Sequence, residues 1–167
     1  MERIVMSGRF FYKYRGIIAL PAFLLLLYFS KPESRQVLSH ILIICGLLIR
    51  FWASGYIGEK ARTKELKAEY RISNGPYGIL RHPLYIGNFF LVSGTVLLYN
   101  PPLWFKIIII AIFLIEYTII IIAEETHLKR IPVRRLKFSF RNVKSEIQTF
   151  LVMAVIYLIY LWVLRRI

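Results

Sequence analysis

The chain has no aspartate, and its nine acidic residues, all glutamate, stand against 23 Lys and Arg. No His/Cys/Glu cluster shows metal-ligand spacing, so no metal site is expected. The single Cys45 cannot form an internal disulfide, and inside an apolar run it reads as a packed, inert thiol. No glycine-rich loop follows a strand, which excludes a soluble Rossmann-type nucleotide site. Apolar and polar residues do not alternate over long stretches, which excludes a barrel. Internal repeats are missing, and low complexity goes no further than the Ile-rich runs around 107–122. The apolar run Gly16–Phe29 has no small-residue cleavage site after it, since Tyr28, Phe29 and Ser30 close it, so it reads as a retained helix and not a signal peptide.

What the chain has in excess is hydrocarbon. Of its 167 residues 57% are hydrophobic and the mean hydropathy is +0.57, against about 45–50% apolar in a soluble domain. The excess lies in runs. A membrane-spanning helix needs about 20 mostly apolar residues, fewer where the bilayer thins. Five such runs are predicted as helices, at 14–30 (with Pro21), 36–58, 83–99, 103–123 and 147–164. Polar segments 59–82 and 124–146 separate them, and Asn100-Pro101-Pro102 makes a tight helical hairpin. The expected fold is a single domain over 1–167, an all-α polytopic transmembrane helical bundle.

The net charge of +14 would suggest nucleic acid in a soluble protein. Here the basic residues sit between apolar runs, without a basic-aromatic recognition motif, so they read as topology and contact with anionic lipid headgroups. If five helices span, one side holds four Lys or Arg in the N-terminal arm, six in 59–82 and seven in 124–146; the other holds Lys31, Arg35, Arg165 and Arg166, with Lys106 at its boundary. Such asymmetry places the N-terminus and both basic segments in the cytosol.

That topology brings two polar strings to the same face. One runs from Asn74-Gly75-Pro76-Tyr77 through Arg81-His82-Pro83-Leu84-Tyr85-Ile86-Gly87-Asn88 into the third span. The other, Glu124-Glu125-Thr126-His127-Leu128, leaves the fourth. Taken singly they read blandly: Gly75-Pro76 as a turn, Pro83 as a first helical residue, Arg81 and His82 as interfacial anchors. Two adjacent glutamates on the basic side, however, call for cationic partners.

Gly75-Pro76-Tyr77, then Arg81-His82-Pro83-Leu84-Tyr85-Ile86-Gly87, then Glu124-Glu125 and Leu128 after one hairpin resemble the isoprenylcysteine carboxyl methyltransferase and phospholipid methyltransferase superfamily of membrane enzymes; Leu48-Ile49-Arg50-Phe51-Trp52-Ala53 adds to the likeness. The resemblance covers about half the chain. It implies S-adenosyl-L-methionine-dependent methyl transfer to a lipid or other lipid-soluble small molecule, at a cofactor site on the cytosolic face. Arg81 and His82 would then donate to the cofactor carboxylate, with Tyr85 one turn on. Glu124 or Glu125 would take its ammonium, Gly75, Pro76 and Tyr77 would offer a surface to adenosine, and Gly87 would let helix or ligand approach the span that Pro83 opens. The likeness departs in two places. Ile120 and Ile121 stand where the prenylcysteine enzymes carry a cation, which points away from that substrate. Lys129-Arg130-Ile131-Pro132 follows the acidic pair in place of the usual aromatic cover, leaving Phe138 and Phe140 as candidates for it.

Arg50 and Glu116 lie inside apolar runs, each about 12 Å from the cytosolic boundary. Charges at that depth are normally paired, so the two are expected to face each other or to line one cavity, as a structural pair or as groups that orient substrate. His40 reads as interfacial, and His127 is undecided. Two other classes fit the same bundle: a sterol-reductase-like enzyme using NADPH, and a non-catalytic scaffold that keeps the motif.

Overall fold

A backbone crossing hydrocarbon has to satisfy its own N–H and C=O groups, and for apolar runs of this length the helix does so. The computed structural model describes residues 2–32, 36–57, 70–129 and 131–165. Among them lie helices α1 (Glu2–Tyr28), α2 (Val37–Ile57), α3 (Pro76–Ile79), α4 (Pro83–Tyr99), α5 (Leu103–Leu128), α6 (Phe140–Val143) and α7 (Ile147–Leu164). A 3-10 turn, Lys144–Glu146, joins α6 to α7. Two short strands, β1 (Arg71–Ile72) and β2 (Val133–Arg134), pair in parallel. The stretches Met6–Tyr28, Val37–Ile57, Leu103–Thr126 and Phe140–Leu164 are long and apolar enough to cross a membrane, and Pro83–Tyr99 is a shorter apolar helix. The protein is an all-α, polytopic integral membrane protein.

Two boundaries differ by more than two residues from the sequence-based expectation, and two strands are added to it. α1 starts at Glu2 and not at Tyr14, because nothing between them breaks a helix; the expected start marked where the chain turns apolar. For the same reason α5 runs on past Ala123 to Leu128, so Glu124 and Glu125 sit on a helix and not in a segment after it. The strands were not expected. They form outside the apolar helices, where the segments around 71 and 133 run side by side, and the argument from periodicity addressed only the spans. Gly58, which ends the second expected helix, and the basic run 59–69 lie outside the described residues, as does the His127 side chain.

The helices assemble as two close pairs, α2 with α4 and α1 with α5. Glycine decides both contacts. A Cβ on Gly94 would stand 2.9 Å from the Ser39 carbonyl oxygen and 2.8 Å from Ile43 Cγ1; one on Gly46 would stand 2.9 Å from the Gly87 carbonyl oxygen. In the other pair, a Cβ on Gly8 would meet that of Ala123 at 2.4 Å. In lipid, where apolar side chains gain little by leaving their surroundings, close backbone approach of this kind drives association.

The far end of the bundle from His82 is closed by apolar packing. Leu26, Ile43, Leu98, Tyr99, Phe105, Met153 and Tyr160 form its core, and the Tyr99 hydroxyl donates to the Ile156 carbonyl of α7 at 2.7 Å. Asn100, in the left-handed region at φ 45°, reverses the chain between α4 and α5, and Lys106 donates back to its side chain at 2.6 Å.

Gly94→Val is expected to lower unfolding stability in detergent by about 1–3 kcal/mol through overpacking of α2 on α4. Gly16→Ala, at a helical glycine whose added Cβ would meet nothing within 4 Å, is expected to raise it by about 0.5–1 kcal/mol. A matched series of thermal unfolding curves separates the two.

Candidate functional site

At the opposite end from the apolar core, α4 and α5 present the residues that the sequence singled out. Gly75 adopts φ 59°, and a Cβ there would overlap the Tyr56 ring, so only glycine makes this bend at low cost. It launches α3, with Pro76 at the first helical position and fully buried. After Leu80 the chain turns again, and Pro83, also fully buried, opens α4 with His82 as its cap.

His82 is the hub. Its Nε2 lies 3.0 Å from Glu125 Oε1 and its Nδ1 lies 3.3 Å from Glu124 Oε2. The Tyr85 ring stacks on the imidazole, 5.6 Å between centroids and 12° between planes. Arg81 stands at the rim, with 65% of its side chain exposed and Nε 3.5 Å from Glu125 Oε1. Two buried polar atoms remain without a hydrogen-bond partner here. One is Glu124 Oε2, whose approach to His82 is poorly aligned for a bond; the other is the Tyr77 hydroxyl. Burial and then the Glu124 charge push the Tyr77 phenol well above its ordinary range, so it stays a donor.

The expected pairing of Arg50 with Glu116 is not what forms. Arg50 donates through Nε to Glu146 Oε2 and through an Nη to Glu146 Oε1, each at 2.9 Å. A further Nη donates to Asn88 Oδ1, and a contact of 3.3 Å reaches Thr149 Oγ1. Glu146 is fully buried and Arg50 nearly so. The reason is packing. Glu116 does stand at the depth of Arg50, since both lie 13 residues from the far ends of their helices, about 20 Å at 1.5 Å per residue. But α5 turns against α1, whereas Arg50 faces α4 and the C-terminal segment. That segment returns along α2: Ser139 N–H and the Asn142 side chain both donate to the Gly55 carbonyl, at 2.9 and 3.0 Å. Phe138 fills the space over Gly55. The 3-10 turn then carries Glu146 down to the guanidinium.

Sequence reasoning passed over Glu146 because it ends a basic segment just before an apolar run, where a solvated carboxylate is ordinary. The available signal was an isolated acid in that basic stretch, one turn ahead of Thr149. Also unforeseen was the chain of contacts behind the site. Asn88 donates to the Tyr117 hydroxyl at 2.8 Å, Tyr117 meets Tyr85 edge to face at 5.3 Å, and Tyr85 carries His82. Gly87 serves helix packing, for a Cβ there would stand 2.5 Å from Arg50 Cγ and 3.1 Å from the Gly46 carbonyl oxygen. Phe138 and Phe140 pack on Phe51, and Phe138 also on Tyr56; their recorded ring contacts therefore lie on α2 and not over His82. His40 bridges α2 and α7, with Nε2 3.1 Å from the Tyr157 hydroxyl and Nδ1 2.6 Å from the Gln36 carbonyl.

The Asn74 side chain binds the neighbouring basic segment twice, donating to the Leu136 carbonyl at 2.6 Å and accepting from its N–H at 2.9 Å. With the β1–β2 pairing, this fastens the α2–α4 connection to the chain that follows α5. Among the described residues no group of three or more His, Cys or Glu could hold a metal ion.

Arg50→Ala or Glu146→Ala alone is expected to cost about 3–5 kcal/mol, because each leaves a buried charge unpaired. Removing both is expected to cost clearly less than the sum. Arg50→Ala combined with Glu116→Ala is expected to be additive within about 0.5 kcal/mol. Coupling free energies from reversible unfolding in detergent decide between the two partners.

A sequence model of the phospholipid methyltransferase family matches residues 34–132, more than half of the chain. No curated protein and no solved structure matches it. The match begins just before α2 and ends just before β2, so it spans the buried Arg50, the His82 turn and the acidic end of α5, and it leaves out α1 and the segment that brings Glu146. The chain belongs to the phospholipid methyltransferase family.

Proposed function

We propose that this protein is an S-adenosylmethionine-dependent methyltransferase that acts on a phospholipid or another lipid-soluble small molecule at the cytosolic membrane face. The observation that carries this is the pair of unspent polar atoms beside His82. Glu124 Oε2 is a buried acceptor without a donor, and the Tyr77 hydroxyl is a buried donor without an acceptor. The Glu124 charge helps to hold the Tyr77 phenol in its protonated, donating form. A ligand carrying an ammonium and a carboxylate on one carbon complements the two, and the amino-acid end of the cofactor is such a group.

Within this proposal Glu124 binds the ammonium, beside the His82 ring on which Tyr85 stacks. Arg81, His82 and the Tyr77 hydroxyl bind the carboxylate, and Glu125 orients the imidazole from the far side. Gly75, Pro76 and the Tyr77 ring make the wall for adenosine, and buried Pro83 sets the start of α4. When bound, the cofactor supplies a methyl group on a sulfonium that is open to direct displacement. The chain's part is to hold the acceptor in line with that methyl and to exclude water. The bilayer is the route for the substrate, which enters sideways between helices, while the cofactor arrives from the cytosol. Residues 1–167 act as one membrane domain, with the N-terminus and both basic segments cytosolic.

S-adenosylhomocysteine is expected to bind the detergent-purified chain saturably in calorimetry. His82→Ala, Glu124→Ala and Glu125→Ala should each weaken it at least tenfold, since each removes a charge-assisted contact or its support. Arg81→Ala, at an exposed side chain, should weaken it less, by about fivefold or under. A folded wild-type chain that ignores S-adenosylhomocysteine would sink the proposal, and saturable NADPH binding in its place would favour a reductase. For the topology, a thiol reagent that cannot cross the membrane should label Lys137→Cys in inverted vesicles only; labelling in intact cells would reverse the orientation.

A further inference from the structure

The helix outside the family match carries a charge that the proposed site does not use. Arg15 is the last charged residue of α1 before its apolar run, and like Arg50 and Glu116 it lies 13 residues from the far end of its helix, about 20 Å away. Gly8, packed on Ile119 and Ala123, sets the register of α1 on α5, and seven residues further along Arg15 comes level with Glu116.

A cation that only anchored α1 in the headgroups would stretch toward water. Arg15 instead folds onto the ring of Tyr12, its guanidinium 4.3 Å from the ring centroid. Tyr12 is 8% exposed and stands one helical turn on from Gly8, on the side of α1 that packs against α5. Among the described residues no carboxylate lies within ion-pair distance of Arg15. Glu116 Oε1 is buried without a hydrogen-bond partner, so the two opposite charges stand at one level without closing on each other. Beside them Tyr117 accepts from Asn88, which leaves its own O–H free to donate.

An unneutralised arginine within a span is costly and marks a ligand path by default. Its flat fork of donors suits phosphate oxygens better than a point charge does. We infer that Arg15, supported by Tyr12 and Tyr117, is a phosphate-binding subsite that recognises the phosphodiester of the lipid substrate at the level of Glu116, along the α1–α5 pair. The inference rests on the proposed methyl transfer to a lipid and names how that lipid is selected. It also gives α1 a role that the family match does not contain.

The test measures binding to the full chain in detergent of dihexanoylphosphatidylethanolamine, dihexanoylglycerol, which lacks the phosphate, and inorganic phosphate, with S-adenosylhomocysteine titrated separately. Wild type should bind the phospholipid at least tenfold more tightly than dihexanoylglycerol. Arg15→Ala should remove that preference, Arg15→Lys should keep part of it, and Lys13→Ala, at an exposed neighbour on α1, should keep all of it. S-adenosylhomocysteine affinity should be unchanged in all three variants, which also shows that they are folded. Equal binding of the two lipids by wild type, or an undiminished preference in Arg15→Ala, overturns the subsite. Inorganic phosphate binding as tightly as the lipid and lost in Arg15→Ala would make it a site for free phosphate and overturn the lipid assignment. Loss of S-adenosylhomocysteine binding by wild type would instead strike the methyltransferase proposal, and the lipid comparison would still be read on its own.

Discussion

A guanidinium held among apolar helices has to be neutralised, and each of its donors has to find an acceptor. That constraint at Arg50 organises much of this protein. Glu146 meets it with a two-pronged contact, Asn88 takes a further donor, and Thr149 closes the set. The demand has consequences at both ends. It draws the C-terminal segment back along α2 and fixes where α7 begins. It also holds Asn88, which holds Tyr117, against which Tyr85 and then His82 are packed. A buried ion pair of this kind contributes little net stability over a well-packed apolar core, while breaking it is expensive. Its effect here is to specify one arrangement of α2, α4 and α7.

The second constraint is the absence of a hydrophobic drive between helices in lipid. Gly46, Gly87 and Gly94 let α4 sink against α2, and Gly8 does the same for α1 on α5. The Asn100 hairpin ties the two pairs at the far end, where the Tyr99–Ile156 bond also fastens α7 to α4. At the other end the helices themselves meet through side chains, His82 against Glu124 and Glu125 and Tyr85 against Tyr117, while the β1–β2 pairing joins the segments beyond them. Polar groups that a ligand can complement are therefore concentrated where the bundle is least closed by backbone packing. Among the described residues three of the four buried side-chain atoms left without partners, Tyr77 Oη, Glu124 Oε2 and Glu116 Oε1, lie on this side or at the level of Arg50, and the fourth, Ser93 Oγ, lies nearer the far end of α4.

The chemistry-bearing residues were legible because their neighbourhood followed from chain connectivity. A hairpin of two adjacent helices must return the residues after its second helix to the level of those before its first, so His82 and Glu125 meet whatever the rest of the bundle does. The partner of Arg50 had no such guarantee. Depth along the helix, which the sequence supplies at 1.5 Å per residue, placed Glu116 correctly in level. It could not supply the rotation of α5 or the path of the segment after β2, and these decided for Glu146.

The sequence by itself determined the helical form of the apolar runs, the hairpin and the gathering of the His82 and Glu124–Glu125 strings at one end of it. Run length, proline placement and the helical rise are local properties, and hydrocarbon allows few alternatives to a helix. Only the tertiary structure decided which charge neutralises Arg50, that Gly87 serves packing, that Phe138 covers α2, and that the Arg15 guanidinium lies on the buried Tyr12 ring of α1. Those outcomes depend on which faces of the helices turn toward each other. That choice is made by close-packing glycines and by the satisfaction of buried charge across the whole bundle, and neither is written in any single segment.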